Sequence, residues 1–97
     1  MSTTEAVNVR VLDREYTVGV GSGEVDGLMA AARLLDTRMR EVRGANRMAA
    51  IDRVAVLAAL NLAHELEQLK RDGERRDREL AGALSALQAK LDALLDA

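Results

Sequence analysis

From about Ala50 to Asp96 the chain contains no proline, and the only glycines in that stretch are Gly73 and Gly82. A helix interior excludes proline, whereas a single glycine weakens it by only about 1 kcal/mol. Half of the sequence therefore reads as one helix, about 70 Å long at 1.5 Å per residue. In a chain of 97 residues that leaves material for one small domain, and so short a chain buries little of its surface when it folds alone. Self-association is expected before any motif is read.

The long helix changes character along its length. From Ile51 to Leu69 it is apolar on more than one side, through Val54, Ala55, Val56, Leu57, Ala58, Ala59, Leu60, Leu62, Ala63, Leu66 and Leu69. A helix apolar nearly all round must touch several partners. The rest of the domain is expected on one side and another subunit on the other, so Leu57, Leu60, Leu66 and Leu69 are candidate oligomer contacts. The ten residues from Lys70 to Glu79 carry no apolar side chain, and their five basic groups are interleaved with four acidic ones. They read as a solvated helical spacer supported by Asp72–Arg76 and Glu74–Arg78 pairs, each worth ~0.3 kcal/mol. Beyond it Leu80, Leu84, Leu87, Leu91 and Leu94 recur at steps of four and three, which is coiled-coil spacing. Two successive steps of four, Arg76 to Leu80 to Leu84, form a stutter that locally unwinds a supercoil. The two apolar segments are thus expected to serve different contacts.

Ahead of the long helix the period is two. Val7, Val9 and Val11 share one strand face, and Tyr16, Val18 and Val20 share a face of the next strand. Leu12-Asp13-Arg14-Glu15 between them can turn tightly, because Asp tolerates the left-handed conformation of hairpin turns. A hairpin over 7–20 is expected, and its apolar face needs a cover. Gly21-Ser22-Gly23 breaks the strand, and Ser22 is a candidate cap for a helix with Glu24 and Asp26 in its first turn. In that helix Val25, Leu28, Ala32, Leu35, Met39 and Val42 form a continuous stripe. Arg40 and Arg43 suit its carbonyl end, and Gly44 stands in the usual stop position. The expected class is α+β: a head over 1–49, made of the hairpin, a helix over 23–43 and a loop over 44–49, followed by a coiled-coil oligomerisation helix over 50–97.

Composition removes most chemistries. The apolar share rests on 17 Ala and 15 Leu, with one Tyr and no Phe or Trp; this is the palette of closely packed helices. A net charge of -2 gives no basic field for nucleic acid. There is no Cys, so disulfides and thiolate metal sites are out. Residues 1–6 lack the basic start and apolar core of a signal peptide, and no 18-residue uncharged apolar run exists; membrane insertion is not expected, and a cytoplasmic protein is the default. No phosphate-binding glycine loop occurs, and the only histidine, His64, lies within the long helix, where a packed or hydrogen-bonded residue at a subunit contact outweighs a metal corner. Neither enzyme activity nor a cofactor is expected.

Three blocks carry a likeness: Val9-Arg10-Val11-Leu12-Asp13-Arg14-Glu15-Tyr16, then Ala30-Ala31-Ala32-Arg33-Leu34-Leu35-Asp36-Thr37-Arg38-Met39-Arg40-Glu41, then Asp52-Arg53-Val54-Ala55-Val56-Leu57-Ala58-Ala59-Leu60-Asn61-Leu62-Ala63-His64-Glu65-Leu66. In order and spacing they resemble the ZapA family of bacterial cell-division proteins, over about residues 7 to 70. The resemblance implies a dimer through the head and long helix, an antiparallel tetramer through the coiled coil, and binding and bundling of FtsZ protofilaments at the division septum. It implies that Arg14 in the turn, Arg43 and Arg47 around the interhelix loop, and Asp52 opening the long helix face FtsZ. Leu80, Leu84, Leu87, Leu91 and Leu94 would join the dimers. The chain departs from the family pattern in Asp13, where Gly is usual, and in Gly21-Ser22-Gly23, where Pro is common. Ile51 and Asp52 stand where a polar cap and Glu are usual. The competing function is a general coiled-coil adaptor or prefoldin-like holdase; a DNA-binding dimer is disfavoured by the charge balance.

Overall fold

A computed structural model describes residues 4–96. Met1, Ser2, Thr3 and Ala97, at the outer edges of the expected head and coil, lie outside the described residues. The element order is β1 Thr4–Val11, β2 Arg14–Gly21, α1 Val25–Ala45 and α2 Ile51–Leu95, which is the α+β arrangement expected.

β1 and β2 form an antiparallel two-stranded sheet. Val7 lies opposite Val18, Val9 opposite Tyr16 and Val11 opposite Arg14, so the period-two valines share one face. On the other face the Thr17 hydroxyl donates to Asn8 Oδ1 at 2.7 Å, a cross-strand link in solvent. Pairing extends to Thr4 opposite Gly21, three residues before the expected start at Val7. The turn is two residues long: Leu12 and Asp13 have φ of 48° and 64°, the two positive values a type I′ turn needs.

Helix α1 begins later than Ser22 would allow. Glu24 occupies the N-cap position without a side-chain capping bond, and its N–H donates to the Gly21 carbonyl at 3.0 Å. Gly23, at φ 91°, completes that reversal. Nor does α1 stop at Gly44. It continues to Ala45, and Asn46 closes it, donating its backbone N–H to Val42 and Arg43 carbonyls and its side-chain amide to the Val42 carbonyl at 3.1 Å. Gly44 was a plausible stop by residue type, but Asn46 satisfies the end carbonyls with two donors.

Through Asn61 the chain forms one compact unit, and from Leu62 a second. The core of the first is small: Val11 and Leu12 of the hairpin end, Met39 and Val42 of α1, and Val54 and Ala58 of the first two turns of α2. Ala32, Leu35, Ile51, Ala55 and Leu57 are partly buried against it. The expected stripe on α1 is therefore buried at its C-terminal half and only partly covered at Leu28 and Leu35. The second unit is helical from Leu62 to Leu95, Lys70 to Glu79 included, with most of its side chains exposed. There Asp72 pairs with Arg75 at 3.2 Å, one residue short of the expected Arg76.

Candidate functional site

The turn between the strands is where the head's chemistry concentrates. Leu12 is a bulky residue in a left-handed conformation, which costs free energy that the surroundings must offset. Two contacts do so. Its side chain is 5% exposed, in the core, and its N–H, which the two-strand ladder leaves over, donates to Asp36 Oδ1 at 2.9 Å. The other carboxylate oxygen, Asp36 Oδ2, accepts from Arg40 Nε at 2.9 Å, one helical turn on. Arg40 also donates through an Nη to Asp13 Oδ1 at 3.0 Å. One acid and one base on α1 thus grip both residues of the turn. The Arg40 hydrogen bond, with the Leu12 N–H second, holds the Asp36 carboxyl below its ordinary pKa. The same bond to Asp36, and then that to Asp13, raises Arg40.

Directly after this turn Arg14 opens β2. It lines a groove of about 200 Å³ together with Arg43, Leu12, Ala49, Ile51 and Val54. Arg14 and Arg43, one at a strand start and one in the last turn of α1, are brought to one concavity. Arg47 stands exposed in the turn between α1 and α2, beside Met48, which is 99% exposed. Asp52, in the first turn of α2, borders a different and larger groove of about 610 Å³. That groove is apolar, walled by Val9, Tyr16, Val18, Leu28, Leu35 and Met39 among others. The four candidate charges therefore divide: two share a concavity, one sits in the neighbouring turn, one opens onto the apolar side.

Of the candidate oligomer contacts, Leu57 is half-buried against the head's own core. Leu60, Leu66 and Leu69 are exposed, and Leu80, Leu84, Leu87, Leu91 and Leu94 are each between 51% and 73% exposed. His64 is exposed on α2. Among the described residues no group of acidic or histidine side chains could hold a metal ion, and no helix is long and apolar enough to cross a membrane. Sequence reasoning passed over Asp36 and Arg40 as a pair. Their spacing of four residues was a signal for an ion pair, but nothing in the sequence linked them to Leu12.

A β-hairpin followed by two helices, the second long and carrying leucines at coiled-coil spacing, defines a small α+β protein. The model for the family described as cell division protein ZapA matches residues 7–95, and the chain belongs to that family. A relative named cell division protein ZapA from Pseudomonas aeruginosa is 39% identical over 92 residues, 95% of this chain and 86% of that one. Another of that name from Bacillus thuringiensis is 32% identical over 69 residues, 71% of this chain and 76% of that one. Among solved structures, an unknown conserved bacterial protein from Pseudomonas aeruginosa PAO1 is similar at a TM-score of 0.66 and 38% identity, covering 95% of this chain and 98% of that one. A ZapA mutant dimer from Geobacillus stearothermophilus is similar at a TM-score of 0.63 and 26% identity, covering 82% and 92%.

Proposed function

We propose that this chain binds FtsZ polymer through its head and cross-links protofilaments as an oligomer, in the cytoplasm at the division septum, without catalysis. In this reading residues 1–49 supply the binding head and 50–97 the oligomerisation helix. The observation that carries it is the leucine seam: five leucines at coiled-coil spacing, all more than half exposed, on the helix whose first turns supply Val54 and Ala58 to the head's core. Exposed apolar residues in so regular a row favour burial against another helix. A head that binds and a seam that multiplies heads is what cross-linking requires, since a second head on the same polymer binds at high effective concentration. The family and the relatives named cell division protein support the setting, and the ZapA mutant dimer supports self-association. Arg14, Arg43, Arg47 and Asp52 are the proposed contacts to FtsZ. Pelleting with purified FtsZ polymer, with mass measured in solution, tests this. Co-pelleting by an oligomer is expected; a monomer at micromolar concentration, or no co-pelleting at low salt, would sink the proposal. A holdase would instead suppress aggregation of an unfolded client while ignoring the polymer.

A further inference from the structure

We propose that Asp36 is a positioning residue for filament binding: its carboxylate, bonded to the Leu12 N–H, fixes the left-handed Leu12-Asp13 turn and so sets Arg14 beside Arg43 on their shared groove. The inference rests on the reading of Arg14 as a filament contact and adds a residue that itself touches no filament.

Three observations converge on it. Leu12 is held at a φ of 48°, which a leucine adopts only under constraint. The constraint on its amide comes from outside the hairpin, 24 residues along the chain, through a 2.9 Å bond. Arg14 follows the turn by one residue and pairs with Val11 across it, so any relaxation of Leu12 and Asp13 toward ordinary φ rotates the start of β2. The Arg40 bonds at 2.9 and 3.0 Å add a second strap, from the same carboxylate to Asp13. A type I′ turn with glycine would need no such strap. Here Leu12 takes the place in the core that a glycine would leave empty, and Asp36 offsets the conformational cost.

The decisive variant is Asp36→Glu, which keeps the net charge and the spacing to Arg40 but carries the carboxylate one methylene away from Leu12. Hydrogen exchange on the full chain should show the Leu12 amide exchanging about tenfold faster, with amides in the middle of α1 unchanged. Binding to FtsZ polymer should weaken severalfold, and that loss should disappear when Arg14→Ala is already present, because Asp36 acts through Arg14. Asp36→Asn, whose carbonyl still accepts the Leu12 N–H but whose amide nitrogen cannot accept from Arg40, should leave the amide less protected than in wild type and better protected than in Asp36→Glu. A role confined to stability would speed exchange throughout α1 and would add to the Arg14→Ala loss. Either that additivity, or a Leu12 amide as protected in Asp36→Glu as in wild type, overturns the inference. Should the wild-type chain not bind polymer at all, the proposed function fails and with it the positioning role, while the exchange measurement reports separately on the turn.

Discussion

Truncating Val54 to alanine tests the account of the core most directly. Val54 is 0% exposed and sits in the first turn of α2, in one cluster with Val11, Leu12, Met39 and Val42. The change deletes two carbon groups from a site with no solvent access. At about 0.8 kcal/mol per buried methylene the transfer loss is about 1.6 kcal/mol. Partial collapse leaves a cavity that adds up to about 1 kcal/mol, so the total is roughly 2–3 kcal/mol. For a chain of this length that lowers the melting temperature by roughly 10–20 °C. Leu35→Ala removes more carbon but from a half-buried position on an open groove wall, where no closed cavity forms; about 1–1.5 kcal/mol is expected. Thermal unfolding by circular dichroism, at one protein concentration for all variants, gives both numbers. A Val54→Ala shift under about 3 °C would refute the reasoning. So would a Leu35→Ala shift larger than that of Val54→Ala, since it would put the groove, not the hairpin end, at the centre of the core.

Acid should loosen the hairpin turn: Asp36 is held below its ordinary 3.8 by the Arg40 and Leu12 bonds, so its contribution is full above that value and is lost as pH falls through the lower folded value. Leu12 amide exchange, corrected for intrinsic rate, should therefore rise only below about pH 4; a rise near neutrality would exclude this carboxylate as the cause. Gly73→Ala should raise melting temperature and helicity by the equivalent of about 1 kcal/mol, because Gly73 lies inside α2 with open space where the added carbon would go; a loss would mean that the glycine is needed for a close approach. Leu84→Glu places a charge in the proposed seam, so light scattering should report a smaller assembly with helicity largely kept; an unchanged mass at micromolar concentration rejects the seam. Arg47→Glu should weaken binding to FtsZ polymer without altering mass, and the effect should shrink with salt as charges are screened over about 8 Å; equal co-pelleting at low salt removes this turn from the binding surface.

What was legible in the sequence was whatever depends on local spacing. The valines at alternate positions located the hairpin, and the helix run without proline located α2. What was missed depends on backbone groups or on residues far apart. Thr4 to Ala6 have no period-two pattern, yet they pair because Gly19 to Gly21 offer ladder partners opposite them. Ser22 has the chemistry of a cap, but Gly23 at positive φ spends it in a turn before the helix begins. For the candidate site, the types of the charged residues were legible and their grouping was not. Arg14 and Arg43 meet on one groove while Asp52 faces another, a division fixed by how the hairpin end lies on α1. No motif set Asp36 apart; only the Leu12 N–H reveals its task.

The distribution of leucine links the fold to the function proposed. The buried hydrophobic set of the described residues is Val9, Val11, Leu12, Met39, Val42, Val54 and Ala58, so of the chain's 15 leucines Leu12 alone is in it. Leu66, Leu69, Leu80, Leu84, Leu87, Leu91 and Leu94 stay more than half exposed. A core built mostly of valine and single methyl groups suits a hairpin end pressed on two helices, where little depth is available. Leucine, flexible and long, instead occupies the helix surface at steps of three and four, where it gains only if a second helix arrives. Each half-exposed leucine covered on association would contribute on the order of 1 kcal/mol, and five in one seam exceed what exposed charge pairs of ~0.3 kcal/mol could supply. Assembly would thus be driven from the seam, and the Arg14–Arg43 concavity of the head would be left free to choose the partner.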